Sequence, residues 1–155
     1  MSIKTDYTKF KSEIEKRGIK YLIHFTPTIN LFSILENKEL MSRSKLESLD
    51  INQFDILDYI KINDIPRYDG KKNHINLSIS SPNTFLFSRF REQTKDDFTI
   101  NWCVLKIRSN HIYDKETLFA VTNAASRDAK NIGLTGDFDK FKMLFASDLP
   151  IAYGL

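Results

Sequence analysis

The run "FTINWCVLKIR", residues 98–108, is the strongest strand signal in the chain, with seven apolar residues among its eleven. A strand of this kind is stable only within a sheet packed on other elements, so the rest of the sequence must supply partners. "KYLIHFT" is extended in character, and "HINLSIS" alternates Ile75, Leu77 and Ile79 with polar residues. "ETLFAVT" reads as another strand. So does "DFDKFKMLFASDLP", where Phe141, Met143 and Phe145 alternate onto one face and Lys142 points the other way.

Helical patterns lie between these strands. Tyr7, Phe10 and Ile14 predict an amphipathic helix over 5–17, closed by "EKRG" with Gly18. Thr28 is placed to cap "INLFSILEN", whose Leu31, Ile34 and Leu35 form an apolar face, and "ELMSR" follows as a brief extended piece. "NQFDILDYI" offers another helical stripe, and Ser81-Pro82 can open a helix through "NTFLFSRF". "NDIPRYDGKKN" reads as a loop punctuated by Pro66 and Gly70, and "NIGLTGDFD" as another. "NAASRDAKN" reads as a short helix. The interleaving shows no repeat, linker or low-complexity segment, which predicts one mixed α/β or α+β domain over 1–155.

Composition narrows the function classes. Twelve Phe and six Tyr within a 41% hydrophobic chain suffice for one globular core. The net charge of +3 permits a polyanionic ligand without predicting one. A single cysteine, Cys103 inside an apolar run, excludes an internal disulfide and a Cys-based zinc cluster and reads as a structural thiol. The charged N-terminus and the lack of a long apolar stretch argue against a signal peptide or membrane span, so a soluble, cytoplasmic protein is expected.

Gly-rich phosphate loops, paired-His metal spacings and nucleophile elbows are missing, so chemistry must come from scattered polar residues. His24 and Thr26 would share one face of a strand. A lone His at a strand end is more often a satisfied structural group; the functional alternative is that this strand end presents hydrogen-bonding groups to a ligand.

"HFTPTINLFSIL", "RYDGKKNHINLSISSPN", "WCVLKI" and "TLFAVTNAAS" together resemble, in order and spacing, the motifs of DarT-type ADP-ribosyltransferases, toxins that modify thymidine in single-stranded DNA. The resemblance runs from about Tyr21 to Tyr153. It implies an α+β, ADP-ribosyltransferase-like fold: a split, twisted mixed β-sheet with flanking helices and NAD in the cleft. It implies that His24 and Thr26 bind the nicotinamide ribose and amide, that Asn30 fixes the neighbouring loop on the cofactor side, and that Arg67 meets the pyrophosphate. The alternative for Arg67 is a solvated loop arginine. Ser81, Pro82 and Asn83 would approach the nucleic acid, while Asn123 is equally well a helix cap. Arg89 and Arg91 are candidate DNA contacts; Phe85, Phe87 and Phe90 interleave with them but read mostly as core. No metal is implied. A macrodomain antitoxin of the DarG kind is the implied partner, and an RNA-modifying relative or a binding module for NAD or nucleic acid are the alternatives.

In DarT-like proteins a Glu on a strand shortly before a Pro stabilises the cationic transition state. The resemblance puts Lys142 at that position, where an ammonium would repel the developing charge. Glu116, Asp137 and Asp139 do not stand at that strand position. Three explanations follow: a toxin inactivated by a Glu-to-Lys change, a pseudoenzyme that still binds its ligands, or a different register with Lys142 reaching water. The family usually continues with a further strand and tail where this sequence stops at "IAYGL".

Overall fold

Seven residues of the apolar run, Trp102–Arg108, form a strand, and its sheet partner is the antiparallel Tyr21–Pro27, which pairs with Ser78–Ile79 on its other side. The computed structural model describes residues 2–59, 70–122 and 132–146. In chain order the elements are α1 (Tyr7–Lys16), β1 (Tyr21–Pro27), α2 (Ile29–Asn37), α3 (Arg43–Ser48), α4 (Ile56–Tyr59), β2 (Ser78–Ile79), α5 (Thr84–Gln93), β3 (Trp102–Arg108), a 3-10 turn (Ser109–Tyr113) and α6 (Phe138–Met143). The class is α+β. The described strands make one open antiparallel sheet in the order β2-β1-β3.

Contacts group the chain into two compact units: residues 1–19, 65–70 and 109–155, and residues 20–64 and 71–108. In the first, Phe10 and Phe141 are wholly buried, with Phe10 also ringed by Phe119 at 5.7 Å and Phe138 at 5.1 Å. α1 presents Phe10 and Ile14 to this core and ends in a Schellman motif: the Gly18 N–H donates to Glu15 O and the Ile19 N–H to Ile14 O. Gly18, at φ +63°, supplies the left-handed turn. Lys4 is buried against Phe10 and Phe119 and donates to Thr117 O at 2.8 Å. Burial holds its pKa below the ordinary lysine value, against opposing pulls from nearby carboxylates.

The strand expected at "DFDKFKMLFASDLP" is helical instead. Asp137 accepts from the Lys140 N–H at 2.8 Å as N-cap of α6, and Phe138, Phe141 and Phe145 then fall on one side at helical spacing. Phe141 packs at tilted angles on Phe10 and Phe119 and edge-to-face on Phe145, whereas Met143 and Lys142 are exposed. The apparent alternation of 141, 143 and 145 lost to the aromatic core, which the 138/141/145 spacing fills. "ETLFAVT" contributes only a bridge from Phe119 to Thr135, because Thr117 turns the chain by bonding back to Asp114 O and His111 O.

In the second unit β1 is the central strand, pairing Leu22 with Ile79 on one side and His24 with Leu105 and Thr26 with Cys103 on the other. The strand expected over "HINLSIS" pairs only at Ser78 and Ile79. Ser80 adopts φ +63° and ends it, and the carbonyl of Asn76 is engaged by a side chain of β1. α5 packs on the Phe25 face of β1: Phe25, Phe87, Phe90 and Trp102 form one aromatic cluster, with Phe25 to Phe87 at 4.7 Å and Phe90 stacked on Trp102. The cap of α5 is Asn83, accepting from the Leu86 N–H, where Ser81-Pro82 was expected to start it. α3, unannounced by an apolar stripe, starts at Ser42, which caps the Lys45 N–H. In α2, Leu31 and Ile34 turn inward as expected, but Leu35 is exposed together with Ile29 and Phe32. Thr28 precedes α2 without capping it through its side chain.

Candidate functional site

β1 sends successive side chains to opposite faces, so the face away from Phe25 carries Leu22, His24 and Thr26. His24 Nδ1 lies 3.1 Å from Asn76 O. A carbonyl only accepts, so Nδ1 carries the proton and Nε2 keeps a lone pair. Burial lowers the His24 pKa below its ordinary value, opposed by the bond to Asn76, so the ring is neutral at pH 7. This is a half-buried imidazole with one nitrogen locked and the other able to accept a hydrogen bond.

Two positions on, Thr26 is buried, and so is Asn30 in the first turn of α2. Asn30 Nδ2 donates to Thr26 Oγ1 at 3.0 Å and to Phe54 O at 2.9 Å, while Oδ1 accepts from the Phe54 N–H at 2.8 Å. The fixed polarity of the Phe54 amide sets the orientation of the Asn30 amide. Both N–H donors of Asn30 are thereby spent inside the protein, so it positions the loop around Phe54 and has no donor left for a ligand. The Thr28 N–H donates to Asn101 O at 2.7 Å, tying the start of α2 to the approach of β3. Phe54 packs its ring on Tyr59, whose hydroxyl donates to Asp97, the anchor of the turn before β3. Cys103 is half-buried, its Sγ near Thr26 O, and burial pushes its thiol pKa up.

Phe54 and Asn76 act through main-chain groups, so their side chains gave no signal in the sequence. The expected nucleic-acid residues separate by role. Ser81 and Arg89 are exposed, Asn83 spends its Oδ1 on the helix cap, and the exposed Arg91 holds its guanidinium 5.8 Å from the Phe87 ring centroid. Phe87 and Phe90 are core, whereas Phe85 is 77% exposed. Arg67 and Asn123 lie outside the described residues.

Lys142 is on the exposed side of α6 in the other unit, with its Nζ 6.0 Å from the Phe138 ring centroid, so the expected strand position facing a cleft is corrected to a helix end. Among its neighbours, Asp137 is the α6 cap and also accepts from the Thr135 hydroxyl, which with the Lys140 N–H holds its pKa down. Among the described residues no cluster of three or more His, Cys, Asp or Glu side chains could hold a metal ion, and no helix is long and apolar enough to cross a membrane.

The family model for DarT, described as ssDNA thymidine ADP-ribosyltransferase, matches residues 23–141 of the 155. No curated protein matches the chain. The matched segment opens one residue before His24 and ends one residue before Lys142.

Proposed function

The chain belongs to the DarT family of ssDNA thymidine ADP-ribosyltransferases, and on that premise we propose that it transfers ADP-ribose from NAD to a thymine base in single-stranded DNA, as a toxin countered by a macrodomain antitoxin. The observation that supports this most is the constellation opening the matched segment: a neutral His24 whose Nε2 lone pair has no partner among the described residues, beside a buried Thr26 whose position Asn30 fixes.

NAD supplies the ADP-ribosyl group and a nicotinamide leaving group. His24 Nε2 is suited to accept a hydrogen bond from a ribose hydroxyl, and a neutral ring adds no positive charge where the sugar carbon becomes cationic. Thr26 contributes its hydroxyl beside that position. Asn30 holds the Thr26 and Phe54 ends together, a positioning role in keeping with its spent donors. Arg67 is assigned to the pyrophosphate, where a planar guanidinium meets two oxygens at once. Ser81, Asn83, Arg89 and Arg91 are assigned to the nucleic acid.

The helical, exposed setting of Lys142 supports the register explanation over inactivation: its ammonium reaches water and takes no part in the transfer. The test is transfer of adenine-labelled NAD to thymidine-containing single-stranded DNA, duplex DNA and RNA. Label on single-stranded DNA that requires thymine and is lost in His24→Ala supports the reading. Label on RNA alone moves the protein to the RNA-modifying class, and NAD binding without transfer moves it to the binding modules.

A further inference from the structure

We propose that Phe85 and Arg89, one turn apart on the solvent side of α5, form a stacking and phosphate-contact point for single-stranded DNA outside the catalytic site. This rests on the single-stranded DNA reading above and adds a place where the strand is held.

The three phenylalanines of "FLFSRF" divide cleanly. Phe87 and Phe90 join Phe25 and Trp102 in the cluster between α5 and the sheet. Phe85 leaves that cluster and is 77% exposed. A lone exposed ring carries little information. What gives this one a meaning is Arg89 four residues on, exposed, on the same side of the helix, and without an ion pair among the described residues. The acid one turn further along, Glu92, is paired with Lys95 at 2.6 Å and does not neutralise it. Arg91 is engaged differently, over the Phe87 ring.

The first turn of α5 holds no acidic residue, and Asn83 caps it with a neutral side chain. The exposed flank therefore offers a π-face and an unpaired guanidinium with no carboxylate in that first turn. Single strands use this pairing without sequence preference, bases stacking on the ring and phosphates meeting the cation. Because α5 lies on the Phe25 face of β1 and His24 on the opposite face, the pair is separate from the His24 side and would hold a part of the strand other than the target base.

The experiment is fluorescence anisotropy of the full chain with a labelled thymidine-rich single strand and with an abasic sugar-phosphate strand of equal length. Wild type should prefer the strand that carries bases. Phe85→Ala should raise Kd by about 5- to 140-fold for it and leave the abasic strand nearly unaffected. Phe85→Trp should keep the affinity and show quenching of its emission on binding, above the background of Trp102. Arg89→Ala should lower the log–log salt slope by about 0.7 for both strands. Circular dichroism establishes that each variant is folded. Wild type that binds no single-stranded DNA overturns the functional reading and this inference with it. Wild type that binds, with Phe85→Ala binding equally well, overturns this inference alone. A fall in sedimenting mass in Phe85→Ala with unchanged DNA binding assigns the ring to a contact between copies and also overturns it.

Discussion

Replacing Asn30 by Ala tests the positioning role at its source. The side chain makes three hydrogen bonds of 2.8–3.0 Å, one to a buried partner, Thr26 Oγ1, and two to the part-buried amide of Phe54. Losing the buried bond costs about 1–3 kcal/mol, and each part-buried bond about 0.5–1.5 kcal/mol because water partly replaces it, so together about 2–6 kcal/mol. Trp102, the single tryptophan, sits in the aromatic cluster of this unit and reports its unfolding. Urea titration followed by Trp102 emission should show the midpoint falling by about 1–4 M for slopes near 1.5–2 kcal/mol/M. Asn30→Asp refines the test. Its carboxylate keeps the acceptor for the Phe54 N–H but faces the Phe54 carbonyl, so its pKa is raised in the folded state. Protonation restores a donor; that stability is therefore complete below the unfolded value of about 3.9 and lost as pH rises through the raised folded pKa. A loss below about 0.5 kcal/mol in Asn30→Ala, or an Asn30→Asp variant as stable as wild type at pH 7, refutes the clamp.

The remaining predictions address the other elements. Phe141→Ala should cost about 3–5 kcal/mol while Met143→Ala costs under about 1 kcal/mol, as α6 requires; equal costs in urea titrations would restore the strand alternation. Lys142→Glu should leave NAD-dependent labelling of oligonucleotides as it is in wild type; a gain of activity would show that this side chain stands in the reactive cleft. The depressed His24 pKa gives stability that is complete above the ordinary value of 6.5 and lost as pH falls through the lower folded pKa. A His24→Gln variant should flatten that part of the stability–pH curve, and an unchanged curve would place the titration elsewhere.

Particular elements show how far pattern alone reaches. α1 was legible because its apolar spacing and end signal agree, Phe10 and Ile14 with Gly18, and β1 and α2 were legible from the runs "YLIHFT" and "INLFSILEN", although Thr28 does not cap α2 and Leu35 faces out. At α6 two periods were written over the same residues, and 141/143/145 competed with 138/141/145. The N-cap Asp137 and the ring of Phe10 and Phe119 decided for the helix, and with it the placement of Lys142. At α5 the sequence said that not all three phenylalanines could face water, without saying which one does.

Local periodicity by itself determined a mixed α/β or α+β chain, and the order and spacing of the motifs that begin at His24, Thr26 and Asn30 carried the family resemblance. Tertiary structure decided which side chains are free to act. Asn30 is committed to Phe54, 24 residues away, and His24 takes its tautomer from the Asn76 carbonyl, 52 residues away. Main-chain amides carry no residue identity, so partnerships made through them leave no trace in a sequence and exist only once the chain has folded.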